Sequence, residues 1–485
     1  MASVSSTGSV TSQGIGSGLD VTGIISKLME LEKKPLTNLQ DRATQLQSTI
    51  STFGAVQSAV SSLRDAARTL TNSQTWAAAT GNSADASSVG VTTAPGAAIG
   101  NYGVQVQSLA TAQSTVTASS YANGDALAGA GTLHIDLGTW SANNAGFTAK
   151  AGSTGVDIAV TATDTLSTLA SKITSSAAGV NATVVTDASG ARLVYTSKAT
   201  GSDNGFRVTA ADNDGGNTDA TGLSALAFDP AGGTTGTTQT QGGANAKATI
   251  NGLAINSASN TLTSVLPGLT LSLNKVTTGP IQIGVTQDTA SMKTAIGAFA
   301  TAYNSLSSLL STDLKYDSAT STAGPLQGDT AALSLQRSVR NIVAGASGAS
   351  SKYASLSQLG LEIQKDGTLK VNDTKLTAAL ADPAEVKKVF ANADQANGAN
   401  NGFATMINLF GNTVLGTDGL LTTRVAGLNK NLTSNQSDQD KLSDRLAATQ
   451  ARLQKQYTAL DTKMASLTTL STYITQQIAN WNKPG

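Results

Sequence analysis

The 485-residue chain has no cysteine and one histidine, His134. The first absence removes disulfides, thiolate nucleophiles and thiolate metal ligands together. Charged residues make up only 13% of the sequence and aromatics 4%, against about 25% charge in an ordinary globular protein; Ala, Ser, Thr, Gly and Asn fill the difference. Thirty-one basic side chains balance thirty-one acidic ones, so no summed field draws the chain to nucleic acid or to an anionic membrane. No basic stripe interleaves with aromatics. The N-terminal MASVSSTGSVTSQG lacks the basic and apolar regions of a secretory signal, and nowhere do eighteen apolar residues run together. The expectation is a soluble protein without nucleic-acid partner, membrane insertion or cofactor, one that leaves the cell, if it does, by another route than general secretion.

What is present is a change of period along the chain. After Gly18, Asp20 is placed to cap a helix with Ile24, Ile25, Leu28 and Leu31 on one stripe, which Pro35 is expected to interrupt. Leu39, Leu46, Ile50, Phe53, Val56, Val60, Leu63, Ala67 and Leu70 then describe a long helix with a seam. From about Trp76 the pattern alternates: Val89 and Val91, then Tyr102, Val104 and Val106, share strand faces. The stretch from Asp164 predicts a capped helix, a strand from Val180, a turn at Asp187 to Gly190 and a strand through Thr196. AGGTTGTTQTQGG is expected by composition to be a linker or long loop. Asn251 and Gly252 predict a two-residue hairpin turn, and Leu269, Leu271 and Leu273 alternate. Helical spacing returns after Asp288, and Pro383 opens a further short helix. Last, Leu446, Leu453, Leu460, Leu467, Ile474 and Trp481 recur every seven residues, with Tyr457, Met464 and Ile478 four positions beyond some of them. That is a coiled-coil instruction, expected to span Asp438 to Trp481 and about 65 Å at ~1.5 Å per residue.

Chemical motifs have plainer readings. GIGSGL is not a dinucleotide fingerprint, because its glycines alternate and no strand precedes them. His134 and Asp136 share one face of a strand, where positions two apart lie about 7 Å from each other; that spacing argues against an orienting hydrogen bond and a hydrolase triad, and leaves a surface histidine. DNDGGNTD has acidic spacing suggestive of a calcium loop, but Leu223 stands where an EF-hand would need its bidentate Glu, so a solvated turn is expected. Glu30 and Glu32, beside Lys33 and Lys34, do not share a helix face and read as a charged helix end.

Six stretches in order carry a family resemblance. They are GSGLD with an Ile-rich helix ending ELEKKPL; NYGVQVQSLATAQ; INGLAINSASNTLTSVLPGLTLSLN; QDTASMKTAIGAFATAYNSL; GPLQGDTAALSLQRSVRNIV; and LSQLGLEIQKDGTLKVNDTKL. The chain resembles the bacterial flagellar filament cap proteins, also called hook-associated protein two, over nearly its full length. Asp164 to Gly201 is similar to an insert repeat shared with flagellins.

The resemblance implies a multidomain α+β protein. N- and C-terminal helices pair into a coiled-coil or helical-bundle stalk, with β-rich head domains inserted between them. The expected divisions are residues 1–42 with 430–485 as terminal legs, 43–78 with 288–429 as a helical bundle, 79–117 with 244–287 as a β-rich domain, and 118–243 as an inserted outer β-rich domain. The implied role is non-enzymatic: a pentamer-like homo-oligomeric ring at the filament tip that folds and places exported flagellin. Implied partners are other copies of the chain, flagellin, the hook-filament junction proteins, and the flagellar export apparatus with its chaperone. Leu19, Ile24, Ile25, Leu28, Leu31, Leu39, Leu46, Phe53, Leu446, Leu453, Leu460, Leu467 and Ile474 are the expected assembly contacts. Two other readings are an axial, flagellin-like subunit and a surface adhesin; a hydrolase lacks any workable constellation.

Overall fold

The computed structural model describes residues 20–234, 236–319 and 321–482, so Leu19 and the GIGSGL stretch lie outside it. The chain divides into two compact units: one holds the two chain ends, through Asn72 and from Lys293 onward, and the other is Ser73–Met292.

The first unit is built of helices. Val21–Glu32 is capped by Asp20, whose Oδ1 accepts from the Gly23 N–H at 2.8 Å. The break expected at Pro35 falls instead at Lys33, and it is slight, because Lys33 keeps helical dihedrals. Pro35 sits in the first turn of the next helix, Lys34–Thr71, where its missing N–H and fixed φ are tolerated. Phe53, Val56, Val60, Leu63, Ala67 and Leu70 form the buried seam of that helix. It packs on Phe403–Leu415 and on the C-terminal helix. Gly411 lets two helices approach closely: a Cβ there would stand 2.8 Å from the Arg64 Cβ. The C-terminal helix begins at Leu420, not Asp438, and runs 62 residues to Trp481, about 93 Å at ~1.5 Å per residue. Its first turns are polar enough to hide the period, yet Leu421 and Leu428 are buried and hold them.

Asp329 fixes the helix Thr330–Ala344. Its Oδ1 accepts from the N–H groups of Ala331 and Ala332 at 2.9 and 3.1 Å, while its Oδ2 takes the Arg424 guanidinium of the C-terminal helix at 2.8 Å. One buried carboxylate thus serves as cap and as tie between two helices.

The second unit has two apolar cores. In one lobe an antiparallel five-stranded sheet, in the order Ala79–Ser83, Ile281–Gln287, Gly100–Ser108, Ala246–Ile250, Leu253–Ser257, shares a core with a three-stranded sheet of Thr261–Leu266, Leu269–Leu273 and Val89–Thr93. Asn251 and Gly252 form the hairpin turn with φ of 50° and 86°, the left-handed pair that a tight hairpin demands. The other lobe pairs Gly131–Trp140 with Val156–Val160, Phe147–Ala149 and Gly205–Asp212. A second sheet there orders Thr237–Gln241, Ser114–Thr117, Gly190–Ser197 and Val180–Asp187. The helix Leu166–Ser175 joins their common core. Two expectations are corrected. AGGTTGTTQTQGG is not all loop, because Thr237–Gln241 pairs with Ser114–Thr117, where β-branched threonines suit an extended edge. The helix cap is Thr165, while Asp164 turns its carboxylate to the Thr161 N–H at 2.7 Å and to Lys172 at 2.6 Å.

Asp329→Ala should lower the unfolding free energy of the helical unit by about 1–3 kcal/mol, the cost of a lost cap plus an unpartnered but half-exposed arginine. Asp329→Asn, which keeps the cap, should cost less; urea titration followed by circular dichroism checks both.

Candidate assembly interface

The N-terminal helix lies antiparallel along the middle of the C-terminal helix. Val21, Ile25 and Met29 form one buried cluster with Leu446, flanked by Leu36, Leu442, Leu453 and Tyr457, while Gln439 Nε2 donates to the Leu39 carbonyl oxygen at 3.4 Å. Between Leu428 and Tyr457 the buried and half-buried positions of the C-terminal helix are Leu428, Leu432, Asn435, Gln439, Leu442, Leu446, Thr449, Leu453 and Tyr457. They alternate spacings of four and three until Leu453, then take a second step of four. This is a stutter, which turns the contact face away from the seven-residue repeat.

Beyond that point the repeat continues without cover. Leu460, Met464, Leu467, Ile474, Ile478 and Trp481 keep the four–three spacing, broken only by Ser471. They are 45%, 38%, 59%, 48%, 52% and 90% exposed. An amphipathic stripe is stable in water only when something covers it, and among the described residues nothing does.

The expected contacts therefore separate. Ile25, Phe53 and Leu446 are buried, and Ile24, Leu39, Leu46 and Leu453 are half-buried. Leu28, Leu31, Leu460, Leu467 and Ile474 are exposed, and Leu19 lies outside the described residues. Sequence reasoning missed Val21 and Met29, although their spacing of four from Ile25 marks the face used. It also missed Asn435, a buried amide inside the seam that accepts from Gln439 at 2.6 Å. Paired polar residues such as Asn435 and Gln439 in an otherwise apolar seam fix register at a cost in stability.

Nor does His134 stand alone as a surface side chain. Its Nδ1 meets Asp157 Oδ1 at 2.5 Å across the strand pair, and its Nε2 meets Asp136 Oδ1 at 3.0 Å. Positions two apart on a strand are thus bridged, because the imidazole and the carboxylate reach toward each other above the backbone. Arg207 closes the network on Asp136 at 2.7 Å and lies 4.9 Å from the Phe147 ring centre. Both ring nitrogens are engaged by carboxylates, which leaves none to activate a nucleophile; the cluster is a cross-strand charge ladder. The Asp157 hydrogen bond, supported by Asp136, raises the His134 pKa against the opposing effect of burial. In DNDGGNTD the acidic side chains accept from neighbouring donors, Asp212 from Ser224 N–H, Asp214 from Gly216 N–H and Asp219 from Ser224 Oγ, and the loop forms a turn.

Comparison with known proteins resolves what this arrangement belongs to. Residues 17–113 match the flagellar hook-associated protein 2 N-terminus, 243–469 match its C-terminus, and 143–199 match the flagellin hook IN motif. The chain is 30% identical to flagellar hook-associated protein 2 of Escherichia coli over 97% of its own length and 98% of that protein. It is 28% identical to the B-type protein of Pseudomonas aeruginosa over 96% and 97% of the two chains. The crystal structure of the D1-D2-D3 domains of the Escherichia coli flagellar cap protein superimposes with a TM-score of 0.63 at 27% identity, covering 78% of this chain and 99% of that one. The chain belongs to the flagellar hook-associated protein 2 family. Its fold is accordingly α+β, with terminal helices and β-rich domains inserted between them in sequence. The hook IN match corresponds to the part of the Ser73–Met292 unit that carries the helix Leu166–Ser175 and the hairpin of Val180–Asp187 with Gly190–Ser197. No helix among the described residues is long and apolar enough to cross a membrane.

Asn435→Leu should raise the melting temperature of the helical unit while loosening the register of the seam, seen as broadened amide resonances near Leu39. The charge ladder carries a pH signature. A histidine whose pKa is raised by folding contributes stability that is complete below its unfolded value of about 6.5 and is lost as pH rises through the folded value. The lobe built on Gly131–Trp140 should therefore be more stable at pH 6 than at pH 9, and His134→Gln should flatten that difference in thermal melts.

Proposed function

We propose that this chain caps the flagellar filament as a ring of identical subunits, folding and inserting exported flagellin and preventing its loss. Family membership supports the role. The observation that carries it to particular residues is the stripe from Leu460 to Trp481, a seam that no described residue of its own chain covers. Covering one leucine or isoleucine contributes roughly 1.5–3 kcal/mol, enough over several positions to offset the ordering of long side chains when neighbouring subunits bring their own seams. Leu28 and Leu31, exposed on the N-terminal helix, offer neighbouring subunits a further apolar surface.

On this reading the protein reaches the filament tip through the flagellar export apparatus, accompanied by an export chaperone, and meets the hook-filament junction proteins before flagellin. The absence of cysteine suits a chain threaded unfolded. No constellation among the described residues suggests catalysis. The four-part division into terminal legs, helical bundle, inner β domain and outer β domain is part of the proposal, with the two apolar cores of Ser73–Met292 as its support.

The double variant Leu467→Asp with Ile474→Asp tests the reading without touching a buried residue. Its melting temperature as a free chain should match the parent within about 2 °C, since surface changes stay within roughly ±0.5 kcal/mol. Cells carrying it should shed unpolymerised flagellin and bear short filaments. Full-length filaments and normal spreading in soft agar would remove the stripe from the mechanism. Amide exchange offers a second measure: residues 460–481 should exchange fast in the free subunit and slow on assembly.

A further inference from the structure

Resting on the capping role above, we propose that Met464 is an oxidation site that controls whether the stripe can be covered. Hydrogen peroxide converts its thioether to a sulfoxide in the free subunit, and the sulfoxide keeps neighbouring helices off the stripe.

Access singles the residue out. The chain has five methionines and no cysteine, so thioethers are its only sulfur. Met29 and Met292 are 4% and 0% exposed, and Met406, on the helix Phe403–Leu415, is half-buried. Met464 is 38% exposed, and among the described methionines it alone stands open to solvent. Thioether oxidation follows exposure.

Its place in the repeat gives the oxidation a consequence. Leu460 lies four residues before Met464 and Leu467 three after it, spacings that share one helix face. A thioether in that seam is apolar and flexible, able to fill an irregular gap between helices. A sulfoxide is polar, and covering it without a hydrogen bond is costly. The hydroxyl one turn on, that of Thr468, already donates to the Met464 carbonyl oxygen at 2.9 Å. From Met464 to Trp481 no side chain carries charge. Once other helices cover the stripe, Met464 is shielded as Met29 and Met292 are, so the oxidant reads the free subunit.

The step balances without a further reactant. A sulfur lone pair attacks one peroxide oxygen, the O–O bond breaks as the S–O bond forms, and the departing hydroxide takes the proton left on the transferred oxygen. Sulfur is oxidised by two electrons and peroxide is reduced to water. Methionine sulfoxide reductases reverse the change.

Two measurements test the proposal. The full chain is treated with graded hydrogen peroxide, digested and read by mass spectrometry. Met464 should gain one oxygen about tenfold faster than Met29 and Met292 and ahead of Met406, and the reductases should remove it. Equal rates at these four residues would overturn the site whatever the protein does. In cells, filaments grown with and without sublethal peroxide are compared within each strain. Peroxide should shorten parent filaments and release flagellin, whereas Met464→Leu filaments should have one length in both conditions, whatever that length is. Met464→Gln, whose amide oxygen stands in for that of the sulfoxide, should shorten filaments without peroxide while its free chain melts within about 2 °C of the parent. The same peroxide response in parent and Met464→Leu cells, or full-length filaments with Met464→Gln, would overturn the control of assembly. Failure of the capping role itself is seen separately, as normal filaments from the Leu467→Asp, Ile474→Asp chain, and leaves the mass-spectrometric result standing.

Discussion

Burial of Val21, Ile25 and Met29 against Leu446 is the contact on which the rest of the helical unit depends, because it decides which part of a 62-residue helix its own chain completes. An isolated helix of this length gains little from backbone hydrogen bonds alone and takes its stability from a covered apolar stripe. Upstream, Lys34–Thr71 and Phe403–Leu415 lie in the same packed assembly with the C-terminal helix, and Asp329 ties that region to Arg424. The N-terminal helix extends the cover as far as Tyr457. After the stutter at Leu453, Leu460, Leu467 and Ile474 of the repeat are exposed. The uncovered surface is therefore the continuation of a pattern that has already been used once, with the same spacing and the same residue types.

Much of this was legible in the chain, and what was hidden has physical reasons. The seven-residue recurrence from Leu446 showed both the helix and its seam, since period is a property of one strand of sequence. Which partner covers each turn is a property of two, and Leu453 and Leu460 look alike until the antiparallel register is known. The same limit explains Met29, passed over in favour of Leu28: adjacent positions on a short helix differ by 100° of azimuth, and only the partner selects between them. Polar seam positions such as Asn435 carry no apolar signal at all. In the β-rich unit, alternation at Leu269, Leu271 and Leu273 and the Asn251–Gly252 turn were readable because each is local. The strand Thr237–Gln241 was not, because a threonine-rich run between glycines has loop composition and becomes a strand only through its pairing with Ser114–Thr117. His134 shows a related gap, in that strand geometry gives the spacing of backbones and says nothing of how far two long side chains lean toward each other.

The assembly surface itself had no chemical motif to betray it. Catalytic and metal sites announce themselves through rare residue types at fixed spacing, and this chain has almost none. Its low charge and abundance of small polar side chains instead leave the apolar stripe as the strongest feature outside the packed cores.

The composition of the uncovered stretch bears on how it is completed. Between Thr458 and Thr475 the helix carries a succession of threonines, and the hydroxyls of Thr462, Thr468, Thr469, Thr472 and Thr475 turn back to the carbonyl four residues earlier, at 2.8–2.9 Å. That arrangement keeps the flanks polar with only Asp461 and Lys463 charged, but β-branched residues are poor helix formers, each less favourable than alanine by up to about 0.7 kcal/mol, and back-bonding of this kind slightly weakens a helix. Five of them subtract roughly 3 kcal/mol from a segment that lacks tertiary cover. A helix so composed is held by its neighbours more than by its own propensity, which makes its order sensitive to whether other subunits are present. Weak intrinsic helicity and an exposed heptad stripe in the same twenty-odd residues point one way: the segment is suited to remain pliable in the free chain and to become rigid when other helices cover it.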